Sequence, residues 1–243
     1  MDSVSEKYVN GSEYIMKEEY LKLNDGSRMP RLGMGTWYLG ENKAARKQEI
    51  EALRAGIHAG CSLIDTAEMY GSGKSEQLIG EAIKGIDRNS LFIVSKVYPH
   101  NAGRAHIFDA LDRSLRNLRT DYLDLYLLHW RGQVPLRETV ECMEQLVKEG
   151  KIRRWGVSNF DTDDMEELFS VKNGDHCAVN QVLYHLGSRG VEYDLMPWLE
   201  EHHVPLMAYC PLAQGGDLRR ELLNNKAVQM VAEQRHITAM QVL

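Results

Sequence analysis

The sequence predicts an α/β fold in which parallel strands and helices form a barrel behind an N-terminal β-hairpin. Short apolar runs of strand length alternate seven times with segments of helical periodicity between residues 32 and 243. Chemically useful side chains follow the carboxyl ends of several of these strands, which is typical of a closed barrel. The size is sufficient, because 243 residues with 43% hydrophobic content can bury one large core.

The amino-terminal part of the chain precedes the first strand of the barrel. Residues 1–17 are polar and unpatterned, and we expect a disordered extension or a remnant of cloning there, with a true structural element as the alternative. Residues 18–243 are expected to form a single barrel domain. At its start, residues 20–23 and 29–32 predict a hairpin, because the intervening residues 24–27 contain an Asp-Gly pair that supplies the positive φ of a tight turn.

Seven strands follow the hairpin, and a helical segment follows each strand. The strands are predicted at residues 32–36, 62–66, 91–95, 122–128, 152–157, 177–182 and 204–209. Apolar residues three and four apart mark the helices, as do Ile50, Leu53 and Ile57 after the first strand. Asp161 is the predicted N-cap of the helix after the fifth strand. Alternation of this kind requires a parallel sheet, either open and doubly wound or closed as a barrel.

Two glycine-rich stretches would favour the open sheet if they were nucleotide-binding motifs. Residues 33–38 contain the first two glycines of the dinucleotide-binding fingerprint, but Tyr38 stands where the third glycine belongs. Residues 71–75 look like the end of a phosphate-binding P-loop, but Glu68 stands where its first glycine belongs. Since neither motif is complete, the sequence favours a barrel.

A barrel would gather the residues that end its strands at one rim. These residues are Thr36, Trp37, Asp65, Tyr70, Lys96, His129, Trp130, Ser158, Asn159, Gln181 and Tyr209. Single residues have ordinary structural alternatives: Lys96 as a solvated charge, His129 as a satisfied strand-end histidine, Tyr70 as a loop aromatic. Their joint occurrence predicts an active site.

Six segments resemble the signature blocks of the aldo-keto reductase superfamily, in the family's order across nearly the whole chain. They are Ile64–Gly71, Val94–Val97, Leu127–Trp130, Trp155–Phe160, Asn180–Gln181 and Ala208–Leu212. Within the superfamily, residues 68–70 and 182–190 are most similar to bacterial methylglyoxal reductases. The resemblance implies a (β/α)8 TIM barrel that reduces small aldehydes or ketoaldehydes to alcohols with NADPH and without a metal.

Four residues match the family's catalytic tetrad, and their chemistry suits the reduction of a carbonyl. Tyr70 is expected to donate a proton to the oxygen that gains negative charge. Lys96 is expected to lower the pKa of that phenol, and Asp65 to hold Lys96 in place and charged. His129 is expected to orient the carbonyl as a neutral hydrogen-bond donor.

The resemblance also implies an NADPH site. Tyr209 would stack on the nicotinamide ring, Ser158, Asn159 and Gln181 would hold its carboxamide, and the loop 212–216 would pass along the pyrophosphate. The implied cofactor contacts are completed by Gly35, Thr36, Trp37, Asp65, Cys210, Leu212, Gln214 and Gly215. Two structural alternatives stay open, an Asx-type turn at residues 158–159 and a flexible turn at residues 215–216.

Aromatic residues just past the strand ends are candidates for a small-carbonyl pocket. Trp37, Tyr98 and Trp130 would line it together with Tyr70 and His129, and packing against the barrel rim is the alternative. Only residues 131–135 separate the fourth strand from its helix, so we expect an open, permissive site without a long lid there.

Composition argues against several other classes of protein. A net charge of −6 with interspersed acids and bases provides neither a basic face for nucleic acid nor a polybasic membrane patch. No apolar run approaches the roughly 18 residues of a membrane span. The scattered cysteines Cys61, Cys142, Cys177 and Cys210 form no C-x-x-C pair, which favours a reduced cytoplasmic protein without zinc. We therefore expect a cytoplasmic monomer whose partner is a small carbonyl compound.

The end of the sequence departs from the family pattern. Family members continue past the position of Leu243 with a further strand and helix, which hold the adenosine 2′-phosphate, and a loop over the substrate. We therefore expect either an incomplete chain or a truncated reductase whose open seam exposes strand edges and invites self-association. The second function class is accordingly a truncated or regulatory homologue that binds cofactor weakly and turns over little.

Overall fold

The computed structural model describes residues 19–213 and 216–243. The extension expected at residues 1–17 and the predicted cofactor contacts Gln214 and Gly215 lie outside the described residues. The strands are β1 (Tyr20–Lys22), β2 (Arg28–Pro30), β3 (Gly33–Gly35), β4 (Leu63–Asp65), β5 (Phe92–Val97), β6 (Leu125–Leu128), β7 (Trp155–Ser158), β8 (Asn180–Leu183) and β9 (Leu206–Tyr209). The helices are α1 (Arg46–His58), α2 (Lys74–Ala82), α3 (Ile107–Leu118), α4 (Leu136–Lys148), α5 (Thr162–Ser170), α6 (Leu195–Glu201), α7 (Asp217–Leu223), α8 (Lys226–Arg235) and α9 (Ala239–Val242).

The strands form two sheets. β1 and β2 make the predicted antiparallel hairpin, with Leu21 opposite Met29. Strands β3 to β9 follow one another in chain order in a seven-stranded sheet, and each pairs in parallel with the next. This sheet curls into a nearly closed barrel with helices outside it. The predicted α/β barrel and its seven strands are therefore confirmed.

Alternating side chains of the strands supply two apolar cores, because successive residues of a strand point to opposite faces. Ile64 and Ile93 face outward and pack with Leu78 of α2 and Leu111 of α3. Their neighbours on the strands, including Leu63, face the barrel interior. Leu23 and Met29 of the hairpin segment join the inner core, beside residues near the amino ends of β4 and β5. The predicted hairpin therefore closes the amino-terminal end of the barrel.

The glycine-rich turn before α2 has a structural explanation. Gly71, Ser72 and Gly73 all have positive φ, of 57°, 56° and 86°, and α2 begins directly afterwards at Lys74. Glycine reaches this left-handed region without steric cost. The resemblance to a P-loop therefore reflects a tight turn that leads into a helix. The predicted N-cap Asp161 is also confirmed, since it forms a capping box with Asp164 at the start of α5.

Across residues 19–213 and 216–243, no helix is both long enough and apolar enough to cross a membrane.

Candidate active site

The four predicted catalytic residues come from the carboxyl ends of three consecutive strands. Asp65 is the last residue of β4, and Tyr70 begins the 3₁₀ turn that follows. Lys96 lies near the end of β5, and His129 directly follows β6. Because parallel strands end at the same rim of the barrel, the four side chains converge there.

Lys96 is the centre of the cluster and is only 1% exposed. Its ammonium Nζ donates to Asp65 Oδ1 over 2.7 Å, to the Thr66 carbonyl over 2.8 Å and to Tyr70 Oη over 3.3 Å. All three ammonium protons therefore have partners. Burial by itself lowers the pKa of Lys96, but the charges and hydrogen bonds of Asp65 and Tyr70 outweigh burial and raise this pKa. Lys96 is thus a buried, paired cation, and the solvated-charge alternative is wrong.

Asp65 is held by three residues, two of which the sequence reasoning did not connect with it. Its Oδ2 accepts a 2.8 Å hydrogen bond from Gln181 Nε2, while Oδ1 pairs with Lys96. The Thr36 hydroxyl donates to the Asp65 main-chain carbonyl over 2.9 Å. Gln181 belongs to β8, four strands away from β4 in the sheet, so its bond with Asp65 crosses the barrel interior. No local sequence signal reports such a contact.

His129 presents a neutral imidazole beside Tyr70. The two rings meet edge to face with centroids 5.9 Å apart. Burial, together with the nearby Lys96 charge, lowers the pKa of His129 to about 3. Nδ1 is buried and has no hydrogen-bond partner among the described residues. Nε2 is not buried in this way. Nε2 is therefore the ring nitrogen that can form a hydrogen bond with a ligand.

Lys96 lowers the pKa of Tyr70 as expected, but it does not set the net direction of the shift. Burial raises this pKa; Lys96 lowers it, as the sequence reasoning assumed, and Asp65 raises it again. The net direction is upward, because desolvation of the phenolate and the nearby carboxylate outweigh the ammonium. Tyr70 is therefore a protonated phenol at neutral pH.

Ser158, Asn159 and Tyr209 form one hydrogen-bonded group beside the tetrad. The Tyr209 hydroxyl donates to Asn159 Oδ1 over 2.9 Å. Asn159 Nδ2 donates to the carbonyl of His129 and to Ser158 Oγ, both over 3.1 Å. Asn159 has a φ of 58°, and its side chain reaches away from α5, which Asp161 caps instead. These contacts explain the pair Ser158–Asn159 better than the Asx-turn alternative does.

The side-chain oxygen Oε1 of Gln181 is available to a ligand, whereas its nitrogen Nε2 is not. Its Nε2 is occupied by Asp65 and by Met207 Sδ, and its Oε1 accepts no hydrogen bond from any residue of the described chain. The side chain is 3% exposed, and Oε1 is not among the buried unpartnered atoms of the described residues, so this oxygen is an accessible acceptor on an otherwise buried side chain. A primary amide of a ligand can donate to it. The donor and acceptor pattern of this region therefore fits the carboxamide of a nicotinamide.

The other predicted cofactor contacts lie around the same rim in different environments. Gly35 ends β3, and a Cβ built on it would meet no atom within 4 Å. Thr36 is completely buried, and its hydroxyl serves Asp65. Cys210, with a φ of 51°, is partly exposed and Leu212 is exposed. The cofactor roles of these residues stay predictions.

Aromatic rings flank the tetrad on two sides. On one side Trp37 lies 6.4 Å from Tyr70 between ring centroids and stacks on the exposed Tyr38 at 4.5 Å. On the other side Trp130 lies 4.9 Å from His129 and meets Tyr98 edge to face at 5.8 Å. The predicted pocket aromatics are thus adjacent to the tetrad. Sequence reasoning missed Tyr38, whose only signal is its place next to Trp37.

A second missed residue is Glu68, which lies between Asp65 and Tyr70 in sequence. Its side chain is 6% exposed and accepts hydrogen bonds from the loop that follows β5.

Within the described part of the chain, no group of three His, Cys, Asp or Glu side chains is arranged to hold a metal ion.

Comparison with known proteins agrees with this geometry. The profile of the aldo/keto reductase family matches residues 31–241. The chain belongs to the aldo/keto reductase family. Among its relatives is methylglyoxal reductase YeaE of Escherichia coli (strain K12), 54% identical over 228 residues that cover 94% of this chain and 80% of the relative. Glyoxal reductase of Bacillus subtilis (strain 168) is 36% identical, with 93% of this chain and 77% of the relative covered.

A solved structure in the aldo/keto reductase family has the same fold. The aldo/keto reductase from Klebsiella pneumoniae, crystallised in complex with NADP and acetate, superimposes with a TM-score of 0.88 at 55% identity. The alignment covers 93% of this chain and 80% of the Klebsiella chain. The resemblance to the superfamily, and within it to bacterial methylglyoxal reductases, is therefore confirmed.

Proposed function

We propose that this aldo/keto reductase family member reduces small aldehydes and ketoaldehydes to alcohols with NADPH. The observation that carries the proposal is the contact of the buried Lys96 ammonium with both Asp65 and Tyr70, next to a neutral His129. This arrangement puts a proton donor, a positive charge and a hydrogen-bond donor where a carbonyl oxygen can reach them.

The residues at the rim divide the work of carbonyl reduction. Bound NADPH supplies the hydride to the carbonyl carbon. His129 Nε2 donates a hydrogen bond to the carbonyl oxygen and orients it. Tyr70 Oη gives its proton to the oxygen as negative charge develops, and Lys96, 3.3 Å away, stabilises the phenolate that is left behind. Asp65 keeps Lys96 charged throughout, because its carboxylate offsets the cost of burying the ammonium.

The residues that would hold NADPH are those whose polar atoms face the same side of the rim. Tyr209 offers its ring, Gln181 Oε1 accepts from the carboxamide, and the Ser158 and Asn159 side chains are within reach. The Klebsiella relative, at 55% identity, was crystallised with NADP, which supports this assignment. The choice of NADPH over NADH rests on relatives that were crystallised with NADP or NADPH.

The substrate class follows from the aromatic walls. Trp37 lies beside Tyr70 and Trp130 beside His129, and both contribute apolar surface next to the tetrad, which suits small carbonyl compounds. The names of two relatives, a methylglyoxal reductase and a glyoxal reductase, support small dicarbonyl substrates.

Replacing Tyr70 by phenylalanine tests the proposal. The ring that contacts Trp37 and that lies 5.1 Å from the Lys96 ammonium is retained, and only the hydroxyl is lost. We expect methylglyoxal turnover to fall about 10²- to 10⁴-fold. The Kd of NADPH, measured by quenching of tryptophan fluorescence, is expected to stay within about twofold.

Tyr38→Phe is the matched control, because Tyr38 is exposed and also stacks on Trp37 but lies outside the tetrad. We expect its turnover to match that of the unmodified protein. Normal turnover by Tyr70→Phe would contradict the acid assignment. Binding of NADPH without turnover by the unmodified chain would instead favour the alternative function, a regulatory or truncated homologue.

Three further expectations belong to this proposal. Residues 18–243 act as one barrel domain, the protein acts as a monomer, and it works in the cytoplasm. The buried thiols of Cys142 and Cys177 are compatible with a reducing compartment.

A further inference from the structure

We infer that Glu68 is a positioning residue for substrate, because its carboxylate holds the loop that carries the Tyr98 wall of the pocket. The inference rests on the proposed function and assigns a role to a residue outside the tetrad. Glu68 lies on the segment between Asp65 and Tyr70, so the proton-donating side of the site and the Tyr98 wall are joined through one side chain.

The carboxylate of Glu68 is buried and fully engaged. Oε1 accepts from the Tyr98 main-chain N–H over 2.7 Å and from Asn101 Nδ2 over 3.1 Å. Oε2 accepts from the half-exposed Arg113 guanidinium over 3.4 Å. A main-chain bond of 3.2 Å from the Glu68 N–H to the Lys96 carbonyl anchors the residue from behind. Four hydrogen bonds, three to the carboxylate and one from the main chain, therefore hold Glu68 between the segment after β4 and the loop after β5.

The loop is held partly by its own contacts and partly by Glu68. Tyr98 is extended, with φ −58° and ψ 142°, as expected for a residue before proline, and a single 3₁₀ turn (Pro99–Asn101) follows it. Within the loop, the Asn101 N–H donates to the Tyr98 carbonyl over 2.9 Å, and the Tyr98 ring stacks on His100 at 4.8 Å. Pro99 has no main-chain N–H to donate, and the amide of Tyr98 and the side chain of Asn101 are the two loop donors to Glu68.

The position of Tyr98 affects the catalytic end of the pocket through ring contacts. Tyr98 meets Trp130 edge to face at 5.8 Å, and Trp130 lies 4.9 Å from His129. The loop also rests on Gly132, where a Cβ would come within 2.3 Å of Pro99 Cβ. Glu68 and the close approach to Gly132 therefore both hold the loop, and releasing Glu68 loosens the position of Tyr98 beside Trp130.

The test compares Glu68→Gln with Glu76→Gln. Glutamine keeps the shape of Glu68 and one carbonyl acceptor but loses the charge and the second acceptor oxygen. Glu76 is the matched control, because it is completely buried and accepts from Ser95 and Asn117 without touching residues 98–101. For Glu68→Gln we expect the KM of methylglyoxal to rise about 10-fold, with kcat changed by less than about threefold and the Kd of NADPH unchanged. Glu76→Gln is expected to leave KM unchanged.

Hydrogen exchange supplies a readout that does not depend on turnover. In Glu68→Gln the amides of residues 97–102 are expected to exchange at least about 10-fold faster, while those of β6 and β7 keep their rates. Asn101→Ala removes one of the two loop bonds and is expected to shift KM and exchange in the same direction by a smaller factor. It serves in place of Glu68→Gln if that variant does not fold.

The measurements distinguish failure of the Glu68 inference from failure of the proposed function. Unchanged exchange at residues 97–102 overturns the inference, as does a fall in kcat with KM unchanged, which would place Glu68 in the chemical step. If the unmodified protein does not reduce methylglyoxal, the proposed function fails, and the exchange comparison still decides whether Glu68 holds the loop.

Discussion

Replacing Lys96 with methionine is expected to destabilise the protein as well as inactivate it. Methionine matches the length of the lysine stem but leaves the Asp65 carboxylate with Gln181 as its side-chain donor. At the observed separation of 2.7 Å the attraction between Nζ and Oδ1 is about 6 kcal/mol with an effective dielectric constant of about 20, before desolvation is subtracted. Breaking a buried pair by removing one partner costs about 3–5 kcal/mol. We therefore expect the free energy of unfolding to fall by about that amount.

Equilibrium urea unfolding followed by tryptophan fluorescence measures the change. The double variant Asp65→Asn with Lys96→Met removes both charges, and we expect it to recover at least about half of the loss, because no buried charge is left unpaired. Lys47→Met is the surface control, because Lys47 is exposed and its Nζ forms a long ion pair of 3.8 Å with Glu51 Oε1. We expect this substitution to lower the free energy of unfolding by less than about 0.5 kcal/mol. A loss below about 1 kcal/mol for Lys96→Met, or no recovery in the double variant, would refute this reasoning.

Two further predictions concern His129 and Gly80. Burial and Lys96 lower the pKa of His129 to about 3, whereas the pKa of a histidine in the unfolded chain is about 6.5. Below about pH 6.5 the unfolded chain therefore binds a proton at His129 that the folded chain does not bind. As the pH falls from 7 to 5, we expect this difference to lower the free energy of unfolding by about 2 kcal/mol. Urea unfolding of His129→Gln should lack this contribution, and an equal loss in both proteins would contradict the assignment. Gly80→Ala should cost about 1–3 kcal/mol by thermal or urea unfolding, because its Cβ would lie 2.4 Å from the Asn117 carbonyl oxygen; unchanged stability would show that α2 and α3 separate freely.

Periodicity was enough to predict the fold and the strand ends at which the candidate site residues lie, whereas the roles given to those residues rest on their chemistry and on the family resemblance. The seven parallel strands follow from alternating apolar runs, and each tetrad residue was found by taking a strand to its carboxyl end. This works because a parallel barrel brings all such ends to one rim, so a local pattern has a known three-dimensional consequence. The hairpin cap was predictable for the same kind of reason, since an Asp-Gly turn between two short apolar runs is a local signal.

Contacts between distant strands could not be predicted in this way. The bond from Gln181 to Asp65 joins β8 to β4 across the barrel. The bonds of Glu68 join the segment after β4 to the loop after β5, and Pro99 of that loop packs against Gly132 after β6. The upward net pKa shift of Tyr70 was also missed, because it depends on the balance between burial and two opposite charges. Residue type reveals the charges, but only the folded chain determines the burial.

The central claim is that the rim of this barrel reduces a carbonyl with NADPH. The most direct measurement incubates the unmodified chain with NADPH and methylglyoxal and counts both the NADPH consumed and the alcohol formed. The site geometry predicts one alcohol for each NADPH consumed, and loss of both in Tyr70→Phe. Consumption of NADPH without alcohol, or tryptophan quenching by NADPH with no consumption, would contradict it.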